Sequence, residues 1–247
     1  MAGGFREVPG ACAVPQAVHE RLYGMKFNLK GSLRRFIPTS LLVATRPARA
    51  WFHPQRRFDR RFNVDTSGLV ELSELGTAND EASGYEASSP AAFARILKSF
   101  PLRHERFTFV DMGSGKGAVL LYASEFPFKQ VIGVELSLQL HRIAEQNILT
   151  YRSRTVKCRK VQSIFMDATA FRIPSGPTVL FFGNPFKGEI LRRVVENVER
   201  SLVAQPREIV VIYHHPMSRH EAWDHSNLLT LTQRLPTYSI YTPRFRS

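Results

Sequence analysis

Between Phe107 and Ala118 a run of β-branched and aromatic residues ends at Asp111, glycines follow at alternate positions (Gly113, Gly115, Gly117), and an apolar helical pattern begins at Ala118. Strand, glycine loop and helix start is the device by which an α/β sheet brings its backbone against a nucleotide-like ligand. Glycine serves because a Cβ blocks close approach and disfavours positive φ. The helix start adds N–H groups that lack intrahelical acceptors and suit an anionic ligand group. A P-loop is excluded, because the position five before Gly115 is Val110 and Gly117 follows Lys116 where Ser or Thr is required. The dinucleotide fingerprint G-x-G-x-x-G/A is met by Gly113, Gly115 and Ala118.

Further along, Gln130 to Glu135 reads as a second buried strand ending in an acid. A carboxylate at that tip accepts hydrogen bonds from both hydroxyls of a ribose, whether the ribose belongs to NAD or to another adenosyl compound. A third strand, Val161 to Phe165, leads into Met166-Asp167-Ala168, and a fourth, Thr178 to Phe182, ends in Gly183-Asn184-Pro185-Phe186. Strands and helices are predicted to alternate over 107–111, 117–126, 130–135, 137–150, 161–165, 177–182, 188–203 and 208–213. Thr230–Thr232 and Tyr238–Tyr241 are expected to form a closing antiparallel pair around a turn at Leu235-Pro236. Alternation of this kind predicts an α/β fold with a mainly parallel sheet and helices on both faces. Pro90 suits the first turn of a helix running to about Ser99, with Ser88 or Ser89 as N-cap.

Asp111, Gly113, Gly115 and Gly117 together match the D-x-G-x-G-x-G signature, and Asn184-Pro185-Phe186 resembles the N-P-P-Y/F motif of amino-group methyltransferases, with one proline in place of two. On these residues the chain, from about Tyr85 onward, resembles the class I, seven-β-strand methyltransferases that use S-adenosylmethionine (SAM). Gly84 to Pro90 is similar to a segment of the non-SET lysine methyltransferases. The resemblance implies a Rossmann-like seven-stranded sheet with SAM as cofactor. It implies cofactor contacts from Tyr85, Glu86 and Ser88 ahead of the glycine loop and from Asp111, Met112, Gly113, Ser114, Gly115 and Gly117 in it. It also implies contacts from Glu135 and Leu136 at the ribose, and from Asp167 and Ala168 at the adenine. Asn184, Pro185 and Phe186 are implied at the acceptor, a nitrogen of a protein lysine or another amine. Other readings stay open: an NAD-dependent oxidoreductase on a similar sheet, a non-catalytic polyanion-binding module, and a small-molecule or RNA acceptor.

Several of these residues also have a structural explanation. Asp111 can cap the glycine loop, Asp167 can cap the turn before Thr169, Tyr85 can be a packing aromatic, and Asn before Pro often starts a turn. Glu135 is a poor core residue, since an unpaired buried carboxylate is costly. His214, His215, His220 and His225 match no metal-ligand spacing, and the two cysteines, Cys12 and Cys158, form neither a disulfide framework nor a metal cluster.

Of a net charge of +13, much lies early: Met1–Asp65 holds twelve Lys/Arg against four Asp/Glu. From Arg21 to Arg61 the arginines are interleaved with Tyr23, Phe27, Phe36, Trp51, Phe52, Phe58 and Phe62. The aromatics are expected to pack on the catalytic domain, while the charge suits an acidic partner. The expected organisation is a disordered stretch over 1–15, a basic helical extension over 16–83 broken at Pro38, Pro47 and Pro54 with an acidic lid from Val70 to Ser83, and a methyltransferase domain over 84–247. No apolar run approaches the ~20 residues that span a bilayer, and no secretory leader is recognisable. A reducing, cytoplasmic location is the expectation.

Overall fold

The computed structural model describes residues 54–68, 89–214 and 221–244, all within one compact unit, Trp51–Ser247. The predicted contacts at Tyr85, Glu86 and Ser88, the lid over 70–83 and the first 53 residues lie outside the described residues.

Seven strands form one sheet: β1 (Thr108–Met112), β2 (Gln130–Glu135), β3 (Val161–Phe165), β4 (Thr178–Phe182), β5 (Ile209–His214), β6 (Leu229–Leu235) and β7 (Tyr238–Pro243). Their spatial order is β3-β2-β1-β4-β5-β7-β6; the first five are parallel, and β7 runs antiparallel between β5 and β6. The order reverses between β1 and β4. In open α/β sheets such a switch point opens the crevice that takes a ligand. Here it sets the loop after β1 beside the loop after β4.

The central strands read as continuous apolar runs because both faces are covered. Phe109, Val179, Phe181, Val210 and Ile212 point into one core, and Val110, Met112, Leu180, Phe182, Val211 and Tyr213 into the other. The first core is roofed by α1 (Pro54–Phe62), α2 (Pro90–Ser99) and α3 (Ala118–Ser124). The second is roofed by α5 (Gly188–Ala204) and the short α6 (Glu221–Asp224). The helix α4 (Leu138–Thr150) joins β2 to β3. In α2, Pro90 fills the first turn, the Ser89 hydroxyl accepts from the Ala92 N–H, and Phe93, Ile96 and Leu97 are buried. An N-cap of this type contributes about 1 kcal/mol.

Pro54, where a break between helical stretches is expected, begins α1, and its missing N–H costs nothing in the first turn. As expected of these two aromatics, Phe58 and Phe62 pack on the core, their rings 5.7 and 4.9 Å from that of Tyr151. The closing hairpin is longer than its sequence signal. Leu235 pairs with Tyr238 across Pro236-Thr237, and an irregularity between Leu231 and Gln233 bends the edge strand β6.

Candidate active site

The loop after β1 is held from below. The N–H groups of Gly113 and Ser114 both donate to the Val134 carbonyl, at 2.9 and 3.0 Å, and Gly117 N–H donates back to Ser114 O. Gly113 has φ +85°, and a Cβ there would sit 2.5 Å from Pro185 Cβ and 3.7 Å from the Phe186 ring. The glycine loop and Asn184-Pro185-Phe186 are thus in direct contact across the switch point.

A second close approach involves Gly133 in β2, where a Cβ would lie 2.6 Å from Ser114 Oγ and 2.7 Å from Leu120 Cδ1. Gly133 lets the loop settle on the sheet. It escaped the sequence reading, although an isolated glycine inside an apolar strand signals this kind of approach. The Ser114 hydroxyl is turned inward over Gly133 and has no hydrogen-bond partner among the described residues. Its backbone is therefore the part of Ser114 available to a ligand.

Glu135 ends β2 and reaches the loop: Oε2 accepts from Gly115 N–H and Oε1 from Ser137 N–H, each at 2.8 Å. Burial raises its carboxyl above the ordinary value, while the N–H groups of Ser137, Gly115 and Leu136 oppose the shift. Asp111 lies beneath, 3% exposed, on the strand face shared with Phe109. Burial first, and the Glu135 charge second, hold its carboxyl well above the usual carboxylate range. Two buried acids on the adjacent strands β1 and β2 favour a ligand that brings hydrogen-bond donors to them.

Outward from Glu135 the strand tips are apolar and open. Leu136 is 46% exposed, Phe165 51% and Met166 39%. These side chains suit the flat face of a base. Asp167 follows, exposed, with Oδ1 accepting from Thr169 N–H at 2.8 Å; it caps the short 3₁₀ turn that begins at the buried Ala168. Met112 is fully buried in the core that contains α5. A glycine loop without Cβ atoms, an acid at the second strand tip and an exposed apolar ledge beyond it fit an adenosyl group. The residues present thus fit SAM.

On the other side of the switch point, Asn184 adopts the left-handed conformation, φ +61°, which Asn tolerates better than most residues. Tyr213, the β5 residue paired with Phe182, donates its hydroxyl to Asn184 Oδ1 and Phe186 O, both at 3.3 Å. Phe186 is half-buried against the core, its ring 6.5 Å from that of Phe182. Tyr213 looked like an ordinary core residue in the sequence; only the β4–β5 register brings it under the loop.

The segment after α1 is fastened to the same loop. Lys116 Nζ lies 2.8 Å from Asp65 Oδ1 and 3.0 Å from Ser67 O. Asn147 of α4 donates to the carbonyls of Asp65 and Lys116 and accepts from Asp65 N–H. Sequence spacing carries no sign of these contacts, which join residues far apart in the chain. His214 ends β5 and is buried, whereas His225 is exposed; His215 and His220 lie outside the described residues. Among the described residues no group of three or more His, Cys, Asp or Glu could hold a metal ion. Nor is any helix among them long and apolar enough to cross a membrane.

Residues 80–171, which contain the glycine loop, Glu135 and Asp167, match the family model of the histone methylation protein DOT1. That match, over 92 of the 247 residues, supports a class I SAM-dependent methyltransferase family. No curated protein matches it in sequence. Solved structures that resemble it include a predicted N6-adenine-specific DNA methylase from Listeria monocytogenes (13% identity, TM-score 0.46, covering 64% of this chain and 51% of that one). Two others are a SAM-dependent methyltransferase from Aquifex aeolicus (13%, 0.44, 63% and 98%) and an RNA methyltransferase from Salinibacter ruber in complex with S-adenosyl-L-homocysteine (17%, 0.41, 63% and 91%). The chain spans about half the length of the Listeria methylase. The match to a methylation family supports SAM over NAD, the choice that the glycine spacing left open.

Proposed function

We propose that this methyltransferase moves the methyl group of SAM to a nitrogen, that of a protein lysine or another amine, beside Asn184-Pro185-Phe186. The observation that carries the reading is the packing of Gly113 on Pro185, which joins the donor loop to the acceptor tetrapeptide with no room for a side chain between them. The match to a histone methylation family over 80–171 supports a protein amine as acceptor.

Bound SAM supplies an electrophilic methyl on a sulfonium. The protein's work is to hold donor and acceptor in line; such positioning is worth about 7–11 kcal/mol of barrier. Glu135 takes the ribose hydroxyls, the ledge of Leu136 and Met166 takes the base with Asp167 and Ala168 at its edge, and the loop from Asp111 to Gly117 cradles the rest. Tyr85, Glu86 and Ser88 are assigned to the methionine end. An amine must reach the site neutral, and a half-buried mouth disfavours its charged form. Asn184 Oδ1 and the Pro185 carbonyl then accept its N–H groups and aim the lone pair. The Tyr213 hydroxyl fixes the amide so that Oδ1 stays the acceptor. Phe186 walls the pocket.

Radiolabelled methyl transfer to a cell extract, fractionated into protein, nucleic acid and small molecules, tests the acceptor class; label confined to nucleic acid or to hydroxyl groups overturns the amine. The residue test uses Asn184→Gly, which removes the amide while keeping the positive φ that alanine would strain. Turnover on an amine acceptor is expected to fall about tenfold to hundredfold, in line with the lost bond to the amine and the lost bond from Tyr213, the Pro185 carbonyl being kept. Affinity for S-adenosylhomocysteine should stay within about twofold. Tyr213→Phe should reproduce part of the loss. Unchanged turnover in Asn184→Gly would remove Asn184 from the acceptor site.

A further inference from the structure

A second surface lies away from the strand tips, on the loop from α4 to β3. It carries Arg152, Arg154, Lys157, Arg159 and Lys160, all exposed, with no acid between Tyr151 and Lys160. Phe58 stacks on Tyr151 and Phe62 meets it edge-on, which sets α1 beside this loop, and α1 exposes Arg56, Arg57, Arg60 and Arg61. The one acid within α1, Asp59, is buried and accepts from the Thr66 hydroxyl and Ser67 N–H. Glu125, at the end of α3, accepts from Tyr151, Ser153 and Thr155. Nine cations therefore face outward around two acids, Asp59 and Glu125, that already accept hydrogen bonds from their own neighbours.

Among these cations is a cavity of about 600 Å3 with an apolar floor from Leu121, Ile148 and Val156, and Arg152, Arg154 and Arg159 at its wall. We infer that this surface binds single-stranded nucleic acid, the phosphates on the arginines and a splayed base in the cavity. Seven of the nine cations are arginine, whose planar fork fits phosphate oxygens. A duplex keeps its bases stacked and has none to offer a concave apolar site, whereas a single strand does. An anionic membrane is disfavoured because lying in a bilayer surface needs a free apolar helix face, and that face of α1 is spent on Tyr122 and Tyr151. The inference is independent of methyl transfer.

The test is fluorescence anisotropy of a labelled 16-nucleotide single-stranded RNA with the full chain at 50–200 mM salt. About five phosphate contacts at ~0.7 counterions each give a log–log salt slope near −3.5, roughly a hundredfold loss over that range. Arg57→Glu/Arg154→Glu/Arg159→Glu is expected to weaken binding at least tenfold and to flatten the slope by about 2, with affinity for S-adenosylhomocysteine unchanged. Arg172→Glu/Arg193→Glu/Arg200→Glu, on the α5 side, changes the charge equally and is expected to have a much smaller effect. Equal losses in both sets, or none in the first, overturn the assignment. So does equal binding of a duplex of the same length, or capture by phosphatidylglycerol vesicles in preference to RNA. Should the first set also lose S-adenosylhomocysteine binding, Arg→Gln at the same positions replaces it, and unchanged RNA affinity there is equally fatal.

Discussion

Gly113→Ala is expected to abolish measurable S-adenosylhomocysteine binding, a loss of at least a hundredfold, and to lower stability by about 2–4 kcal/mol. Two effects add. Alanine at φ +85° has its Cβ against the backbone, and the same Cβ would lie 2.5 Å from Pro185 Cβ, far inside contact distance. Pro185 cannot yield easily. Its ring is rigid, Asn184 before it already sits in the left-handed region, and Tyr213 holds the flanking Asn184 and Phe186. The loop after β1 must therefore lift, which strains its bonds to the Val134 carbonyl and the Glu135 carboxylate. Calorimetry with S-adenosylhomocysteine and thermal denaturation give the two readouts. Gly176→Ala is the control, since a Cβ there meets nothing within 4 Å; it should leave both unchanged. Binding within a few-fold of wild type in Gly113→Ala would mean that the loop does not touch the cofactor.

The same geometry explains what could be read in the chain before its structure. Buried parallel strands are written locally as short apolar runs ended by Asp111, Glu135 or Gly183, so the strands and their sequence along the chain were legible, whereas their order in the sheet was not. So was the start of α2, because Ser89 and Pro90 act within one turn. What stayed hidden depends on pairing between distant segments. Tyr213 reaches Asn184 only through the register of β5 on β4. Lys116, Asp65 and Asn147 meet only because α1 folds back over α3 and α4. Gly133 was legible in principle, yet its meaning needs Ser114 above it. For Asp167 the structural account is the observed one, since Oδ1 caps the turn after β3.

Glu135→Gln separates the cofactor role of this acid from its structural one. Each carboxylate oxygen accepts a backbone N–H, from Gly115 and from Ser137. A glutamine of the same shape must turn its NH2 toward one of those donors. The donor that loses its acceptor costs about 1–3 kcal/mol, which for a domain of this size lowers Tm by about 2–4 °C per kcal/mol. The ribose hydroxyls lose a charged acceptor as well, worth about 1.5–3 kcal/mol per bond, so affinity for S-adenosylhomocysteine should drop at least a hundredfold. The pH dependence tells the two parts apart. Burial raises the carboxyls of Asp111 and Glu135 in the folded protein. The folded state therefore binds more protons than the unfolded one between the ordinary carboxylate value and the raised one. Stability of the free protein must fall as pH rises through that window and stay level above it. Ribose hydroxyls favour the ionised acid, so binding should strengthen with pH over the same window and release protons, measurable by calorimetry in buffers of different ionisation enthalpy. Glu135→Gln should remove the part of both slopes that Glu135 supplies and, with the Glu135 charge gone, narrow that of Asp111 to what burial alone gives. A variant that binds S-adenosylhomocysteine as tightly as the parent, with the parent's proton release, would place the ribose elsewhere and leave Glu135 as a brace for Gly115 alone.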